Sequence, residues 1–251
     1  MKIVIPESDN PIIKEAAEAC EDVAIVPAKD LQVAANLVKV GVVDAMISGF
    51  NYSTRDVILA YKDNLPMSSE YFSSCFICSK SGQNLAVADG GINKDPTKEQ
   101  LYCIVEDTAK TFLKCFNTQP KIAMLSYSTN GSGGKNPDLE KIYYVINKIR
   151  KQHPDWLIDG EMQLDTATDF QISEKKYPDS VIGGHANILI VPDLNSGNIL
   201  YKSLEHLGGW RVAGPIVQGF TYPLADLSRG STVDGVKFTI EIVKKIYNTK
   251  R

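Results

Sequence analysis

The chain has 251 residues, 43% of them hydrophobic and 23% charged, with a formal net charge of −3. That is enough for one large α/β domain or two modest lobes, and it lacks the basic excess of a general nucleic-acid binder. No apolar run reaches the ~20 residues of a membrane-spanning helix, so neither nucleic acid nor a membrane is an expected partner.

The opening run KIVI is cut short by Pro6 and Glu7, too brief for a signal-peptide core, and reads as a buried first strand. Residues 10–20 have helical spacing, with Ile12, Ile13, Ala16, Ala17 and Cys20 on one face. A short strand over 22–28 and a helix over about 31–40 follow. Residues 43–61 read as a third strand, a turn of small and hydroxyl residues at 49–54, and a helix. The runs YFSSCFICS (71–79) and QNLAVADGG (83–91) pair as strands joined at Ser81-Gly82. Pro96-Thr97 opens a long helix to about 116, with Leu101, Ile104, Val105, Thr108, Ala109 and Phe112 at core spacing.

Residues 121–134 form a strand that runs into the most Gly- and Ser-rich turn of the chain. A helix over 137–152 comes next, then strands over 156–168, 187–194 and 210–219. The last helix, 233–247, turns Val236, Ile240 and Val243 inward, and Ser231 and Asp234 stand at capping-box spacing at its start. Strands alternating with helices imply a mainly parallel sheet with binding loops at one edge. No linker stands out; the 96–120 segment is the best candidate for a connecting helix.

The five cysteines, Cys20, Cys75, Cys78, Cys103 and Cys115, are an odd number without framework spacing. Cys75 and Cys78 form a CxxC with no second pair and no nearby histidine, so buried thiols in a reduced, cytoplasmic protein are expected. Asp159, Glu161 and Asp165 alternate along one predicted strand and read as turn and edge polarity, with no metal implied. Of His153, His185 and His206, only His185 opens a core strand and is placed near a cleft.

Two runs end in small polar residues: NILIVPDLNSGN at 187–198 and GPIVQGFTYPLADLSRGS at 214–231. A strand that empties into such a turn before a helix collects free N–H groups and the positive end of a helix dipole, which is anion-binding geometry. Asn187, Asp193, Asn195 and Asn198 suit turn shaping by Asx-type bonds. Only five arginines occur, Arg55, Arg150, Arg211, Arg229 and Arg251. One of them sits in the Ser228-Arg229-Gly230 turn, where a phosphate or carboxylate explains it better than packing.

On these motifs the chain resembles the phosphate acetyltransferase and phosphate butyryltransferase (phosphotransacylase) family. The carrying segments are PKIAMLSYST (120–129), DGEMQLDTA (159–167), HANILIVPDLNSGNILYK (185–202) and GPIVQGFTYPLADLSRGS (214–231), with weaker echoes at IVIPES and DAMISGFNYSTRD. The resemblance thins toward the amino terminus, where the chain is several dozen residues shorter than typical members. It implies two α/β/α lobes with mainly parallel sheets and an interlobe cleft, as in isocitrate and isopropylmalate dehydrogenases. The first lobe would be 1–100 with 215–251, and the second 101–214.

The implied reaction moves an acetyl or other short acyl group between coenzyme A and inorganic phosphate, in a cytoplasmic homodimer. Coenzyme A is then a substrate, and no metal or other cofactor is implied. Ser228 and Arg229 match the family's Ser-Arg pair, with Gly230 beside them. Ser126, Ser128, Thr129 and Asn130 match the second-lobe face of the cleft, and Ser53, Thr54 and Arg55 lie in its SxT turn.

Two positions depart from the pattern. The family's aspartate seven residues beyond the serine is Gly235 here, and an arginine on the helix after the SxT turn is Leu59. Asp234 and Arg55 are the expected replacements, Arg55 lying one turn earlier on the same face. The competing reading is a catalytically degenerate protein of the same fold that binds coenzyme A or acyl phosphate, or regulates. An oxidoreductase is disfavoured because no GxGxxG follows the first strand.

Overall fold

The computed structural model of the chain describes residues 1–134 and 136–249. Short apolar segments form β1 (Lys2–Val4), β2 (Ala24–Val26), β3 (Ala45–Ser48), β4 (Ser73–Lys80) and β5 (Gln83–Ala88). The remaining strands are β6 (Lys121–Leu125), β7 (Leu157–Met162), β8 (Ile188–Ile190), β9 (Arg211–Gln218) and β10 (Leu224–Asp226). They make one ten-stranded sheet in the order β2-β1-β3-β10-β9-β4-β5-β8-β6-β7. An antiparallel centre, β10-β9-β4-β5, joins two parallel wings. Strands such as β3 and β8 are buried along their whole length, as expected where helices cover both faces of a sheet.

The helices are α1 (Pro11–Glu18), α2 (Leu31–Lys39), α3 (Thr54–Asn64), α4 (Lys98–Phe116), α5 (Pro137–Gln152), α6 (Leu164–Thr168), α7 (Phe170–Lys176), α8 (Leu194–His206) and α9 (Val233–Asn248). The predicted connecting helix is α4. Thr97 and Gln100 close a reciprocal capping box at its start, and Asn117 ends it in the left-handed conformation at φ 48°. It packs against β4, β5, β8 and β9 and against α5 and α9, so it lies behind the antiparallel centre where the wings meet.

Four local expectations change. The strand expected over 156–168 ends at Met162, and Leu164–Thr168 is helical. Asp165 therefore sits in α6, and α7, capped by Asp169, was not anticipated. The Asn195–Asn198 stretch is not a free turn but the first turn of α8, with the Asp193 side chain accepting from the Ser196 N–H. The cap of α9 is Thr232, whose Oγ1 accepts from the Gly235 N–H at 3.1 Å, rather than Ser231. Finally, residues 224–226 are a separate strand that turns back antiparallel to β9.

Gly197 explains why a glycine stands inside α8. A Cβ there would lie 2.3 Å from the Asp89 carbonyl oxygen and 2.8 Å from the Gly90 Cα. The helix is packed backbone-to-backbone on the end of β5, a contact that only hydrogen permits. Gly197→Ala is expected to lower unfolding stability by at least about 2 kcal/mol, despite alanine's better helix propensity, as read by the urea midpoint.

Candidate active site

The site begins where β3 and β10 end. These strands are parallel neighbours with Ser48 opposite Asp226, so the turns after them leave the sheet side by side. After β3 the chain passes Gly49 and reaches α3, capped by Ser53, whose Oγ accepts from the Asp56 N–H at 3.2 Å. After β10 it passes Leu227-Ser228-Arg229-Gly230 to α9. The Ser231 N–H donates to the Ser228 carbonyl at 2.9 Å and closes that turn. Two helix amino termini thus converge on one edge.

A cleft of about 160 Å³ opens between them, walled by Gly49, Tyr52, Thr54, Asp226, Ser228 and Arg229, and on its far side by Gly90, Gly91, Asn198 and Tyr201. The structure therefore brings together Thr54, Ser228 and Arg229. A second cavity of about 110 Å³ shares Phe76, Tyr201 and Ser228 with the first and includes Gly230, Gly235 and His206. Phe76 and Tyr201, stacked at 3.6 Å and 12°, line both.

Beneath the turns lie two buried carboxylates that sequence reasoning had not singled out. Glu7 Oε1 accepts from the Gly49 and Asn51 N–H groups at 3.0 and 3.2 Å, which fixes the start of the 49–53 turn. Asp226 is 2% exposed. Its oxygen Oδ1 and Glu7 Oε2 have no hydrogen-bond partner among the described residues. Gly49, at φ +103°, would place a Cβ 1.9 Å from Asp226 Oδ1, so both its backbone angle and its missing side chain are required. Burial pushes the Asp226 carboxyl up to about 6, against the hydrogen bond from the Thr54 side chain and with the nearby Glu7 charge adding to the rise. The one sequence signal was the alternation in PLADL, which places Asp226 at the end of a buried strand.

Other predicted residues go elsewhere. Arg55 is exposed on α3 and walls neither cavity, and Leu59 is 43% exposed on the same helix. The Asp234 carboxylate is held by the Arg211 guanidinium, Nε at 2.8 Å and Nη2 at 2.9 Å. In the loop after β6 the hydroxyls serve the loop itself. Ser128 Oγ donates to Glu161 Oε1 at 2.6 Å and accepts from the Gly133 N–H at 2.7 Å. Thr129 Oγ1 accepts from the Gln163 N–H at 3.0 Å, and Ser126 Oγ accepts from the Ser128 N–H at 3.3 Å.

Asn130, at φ 49°, borders a different cavity with Arg150, Asp159 and Glu161. Asp159 and Glu161 are 3% and 0% exposed, so they are not edge polarity. Arg150 and Tyr177 bond the first, and Ser128, Tyr143 and the Gly131 N–H bond the second. No group of three metal-ligating side chains occurs among the described residues. His185 lies in a separate cavity of about 410 Å³ with Leu164 and Trp210, not at the cleft. The histidine beside Ser228 is His206.

Fold and site together define an α/β protein with a cleft at the carboxyl ends of two neighbouring strands. Residues 13–243 match the family described as Phosphate acetyl/butaryl transferase, and the chain belongs to that family. A phosphate acetyltransferase of Clostridium acetobutylicum is 37% identical over 212 residues, covering 81% of this chain and 63% of its own length. The chain thus spans somewhat under two thirds of that relative. A phosphotransacetylase structure from Streptococcus pyogenes superposes with a TM-score of 0.85 at 30% identity, covering 99% of this chain and 94% of that one. The 4-hydroxythreonine-4-phosphate dehydrogenase of Klebsiella pneumoniae, at 12% identity and a TM-score of 0.56, covers 90% of this chain and 76% of its own. It shares the fold alone, which is the dehydrogenase-like architecture expected.

The Asp226 shift has a thermodynamic signature. Folded Asp226 keeps its proton to about 6, whereas an unfolded aspartate releases it near pH ~3.9. Its contribution to stability is therefore full below pH ~4 and is lost as pH rises through about 6, a loss on the order of 2–3 kcal/mol. Asp226→Asn should match the wild-type melting temperature at pH 4 and exceed it by roughly 4–10 °C at pH 8 in paired thermal melts.

Proposed function

We propose that the protein transfers an acetyl or other short acyl group between coenzyme A and inorganic phosphate: acyl-CoA + phosphate = acyl phosphate + CoA. The observation that carries this reading is the shared cleft in which Ser228, Arg229 and Thr54 meet at two helix amino termini. Phosphate needs fixed donors, and a guanidinium can grip two of its oxygens. When sulfur attacks an acyl phosphate, the carbonyl oxygen gains charge and phosphate departs as an anion. Both are favoured by donors already in place before reaction. The family match and the relatives named phosphate acetyltransferase support the same chemistry.

In this reading coenzyme A is a substrate and no resident cofactor takes part. The protein acts in the cytoplasm as a homodimer, with lobes at 1–100 plus 215–251 and at 101–214. No helix among the described residues is long and apolar enough to cross a membrane. A second reading, binding of coenzyme A or acyl phosphate without turnover, is favoured by one observation. Asp234 is tied to Arg211 and Arg55 walls neither cavity, so neither supplies the charge expected of it in the cleft.

The test is release of free thiol from acetyl-CoA plus phosphate, followed with a thiol reagent. Arg229→Ala is expected to lower kcat/KM by about 10²–10³, because a charged donor aimed at the phosphate is lost. Asp234→Asn, which only opens a half-exposed ion pair, should change it less than about threefold. No thiol release from the wild-type protein, together with retained ligand binding, would select the second reading.

A further inference from the structure

Acyl transfer between a thiol and phosphate moves one proton from sulfur to phosphate, so some group beside the cleft must accept it. Helix α8 lays a row of polar side chains along both cavities. Asn198 faces the Ser228–Arg229 cleft, and Lys202, Glu205 and His206, one turn and two turns further on, wall the smaller cavity behind Ser228. The opposite wall, from α9, offers Gly235 and Thr239 and no titratable group. Asp234, next in sequence, is engaged by Arg211. His206 Nε2 lies 3.5 Å from Glu205 Oε2, and its side chain is 68% exposed. Imidazole is the side chain whose ordinary titration falls in the neutral range, which is where a proton acceptor for a thiol of pKa ~8.5 is most effective.

We propose that His206 is the catalytic group that accepts the thiol proton, with Glu205 as the positioning residue that holds the ring. The inference rests on the acyl-transfer reading above. A ring nitrogen of His206 takes the S–H proton while the sulfur electron pair forms the C–S bond. The C–O bond to phosphate then breaks with its pair going to oxygen, and the imidazolium returns its proton to the departing phosphate. The reverse direction runs the same steps backwards, so atoms, charge and protons balance.

The charged and titratable residues that share the cavity with His206 are Lys202, Glu205 and Tyr201 on its own helix, and from β4 Lys80 Nζ donates to the Gly208 carbonyl at 2.6 Å just beyond it. Near Glu205, also on β4, is the Cys78 thiol, which burial pushes up to about 12 with the Glu205 charge adding to the rise. None of these competes for the role: the thiol is buried, and the ammonium accepts no proton. Gly235 also makes the idea separable from folding. A Cβ there would meet Thr232 Oγ1 at 3.5 Å and the Val212 carbonyl at 3.8 Å, ordinary contacts, so an aspartate fits across the cavity from His206.

The experiment is kcat/KM against pH, in both directions, for the wild type, His206→Gln, Glu205→Gln and the double variant His206→Gln with Gly235→Asp. His206→Gln should fall by about 10²–10⁴ and lose the limb that drops on the acid side of neutrality, with KM for acetyl phosphate within about twofold. Glu205→Gln should keep most of the rate with that limb displaced. The double variant should recover at least about tenfold, with its acid limb moved to lower pH. A His206→Gln protein with wild-type rate and an unchanged limb overturns the assignment while leaving acyl transfer intact. A wild-type protein that neither releases thiol from acetyl-CoA plus phosphate nor consumes it from acetyl phosphate plus CoA overturns both.

Discussion

The arrangement depends on one buried carboxylate. Asp226 ends β10 directly against Gly49 at the end of β3 and reaches the Thr54 side chain at the start of α3. A single side chain therefore ties together the strand that presents Ser228 and Arg229 and the helix whose amino terminus faces them. Glu7, three residues beyond β1, clamps the same turn through the Gly49 and Asn51 N–H groups. Both acids are held out of water with an oxygen unpartnered, a cost accepted in exchange for two turns in fixed register.

The phenol of Tyr61 continues this lattice below the site. It is fully buried, lies 2.9 Å from the Ser48 Oγ and donates to the Ala225 carbonyl at 2.8 Å. Ser48 and Ala225 belong to β3 and β10, so α3 is pinned to the ends of both strands from beneath while Asp226 pins it from above. Desolvation raises this phenol well above its usual range, and it stays a neutral donor. The mouth of the cleft is exposed at Ser228, Arg229 and Gly230, whereas Glu7, Ser48, Tyr61 and Asp226 beneath it are buried.

Much of this was legible in the sequence, because periodicity and turn chemistry are local. The strand–helix alternation, the hairpin at Ser81-Gly82, the long α4 and the Ser228–Gly230 turn each follow from patterns within a dozen residues. What sequence could not supply was pairing at a distance. Asn195-Ser196-Gly197-Asn198 looks like a loop, yet it is the first turn of α8, capped by Asp193 and packed through Gly197 on Asp89. Asp234 looks like a spare acid beside Gly235, yet Arg211, far away on β9, claims it. Asp226 and Glu7 read as ordinary strand-end acids until the sheet order sets β1, β3 and β10 next to one another. His206 and His185 were exchanged for the same reason: burial of a strand says nothing about which cavity its end adjoins.

The stacked rings of Phe76 and Tyr201 have a meaning for the shape of both cavities. Flat aromatic plates at van der Waals contact can neither shrink nor interdigitate further, so the gap each leaves toward Ser228 has a hard edge on one side. A chain lengthening along that edge meets no gradual resistance until it touches a plate, and then meets all of it at once. Such a wall gives both cavities a boundary with a step rather than a slope.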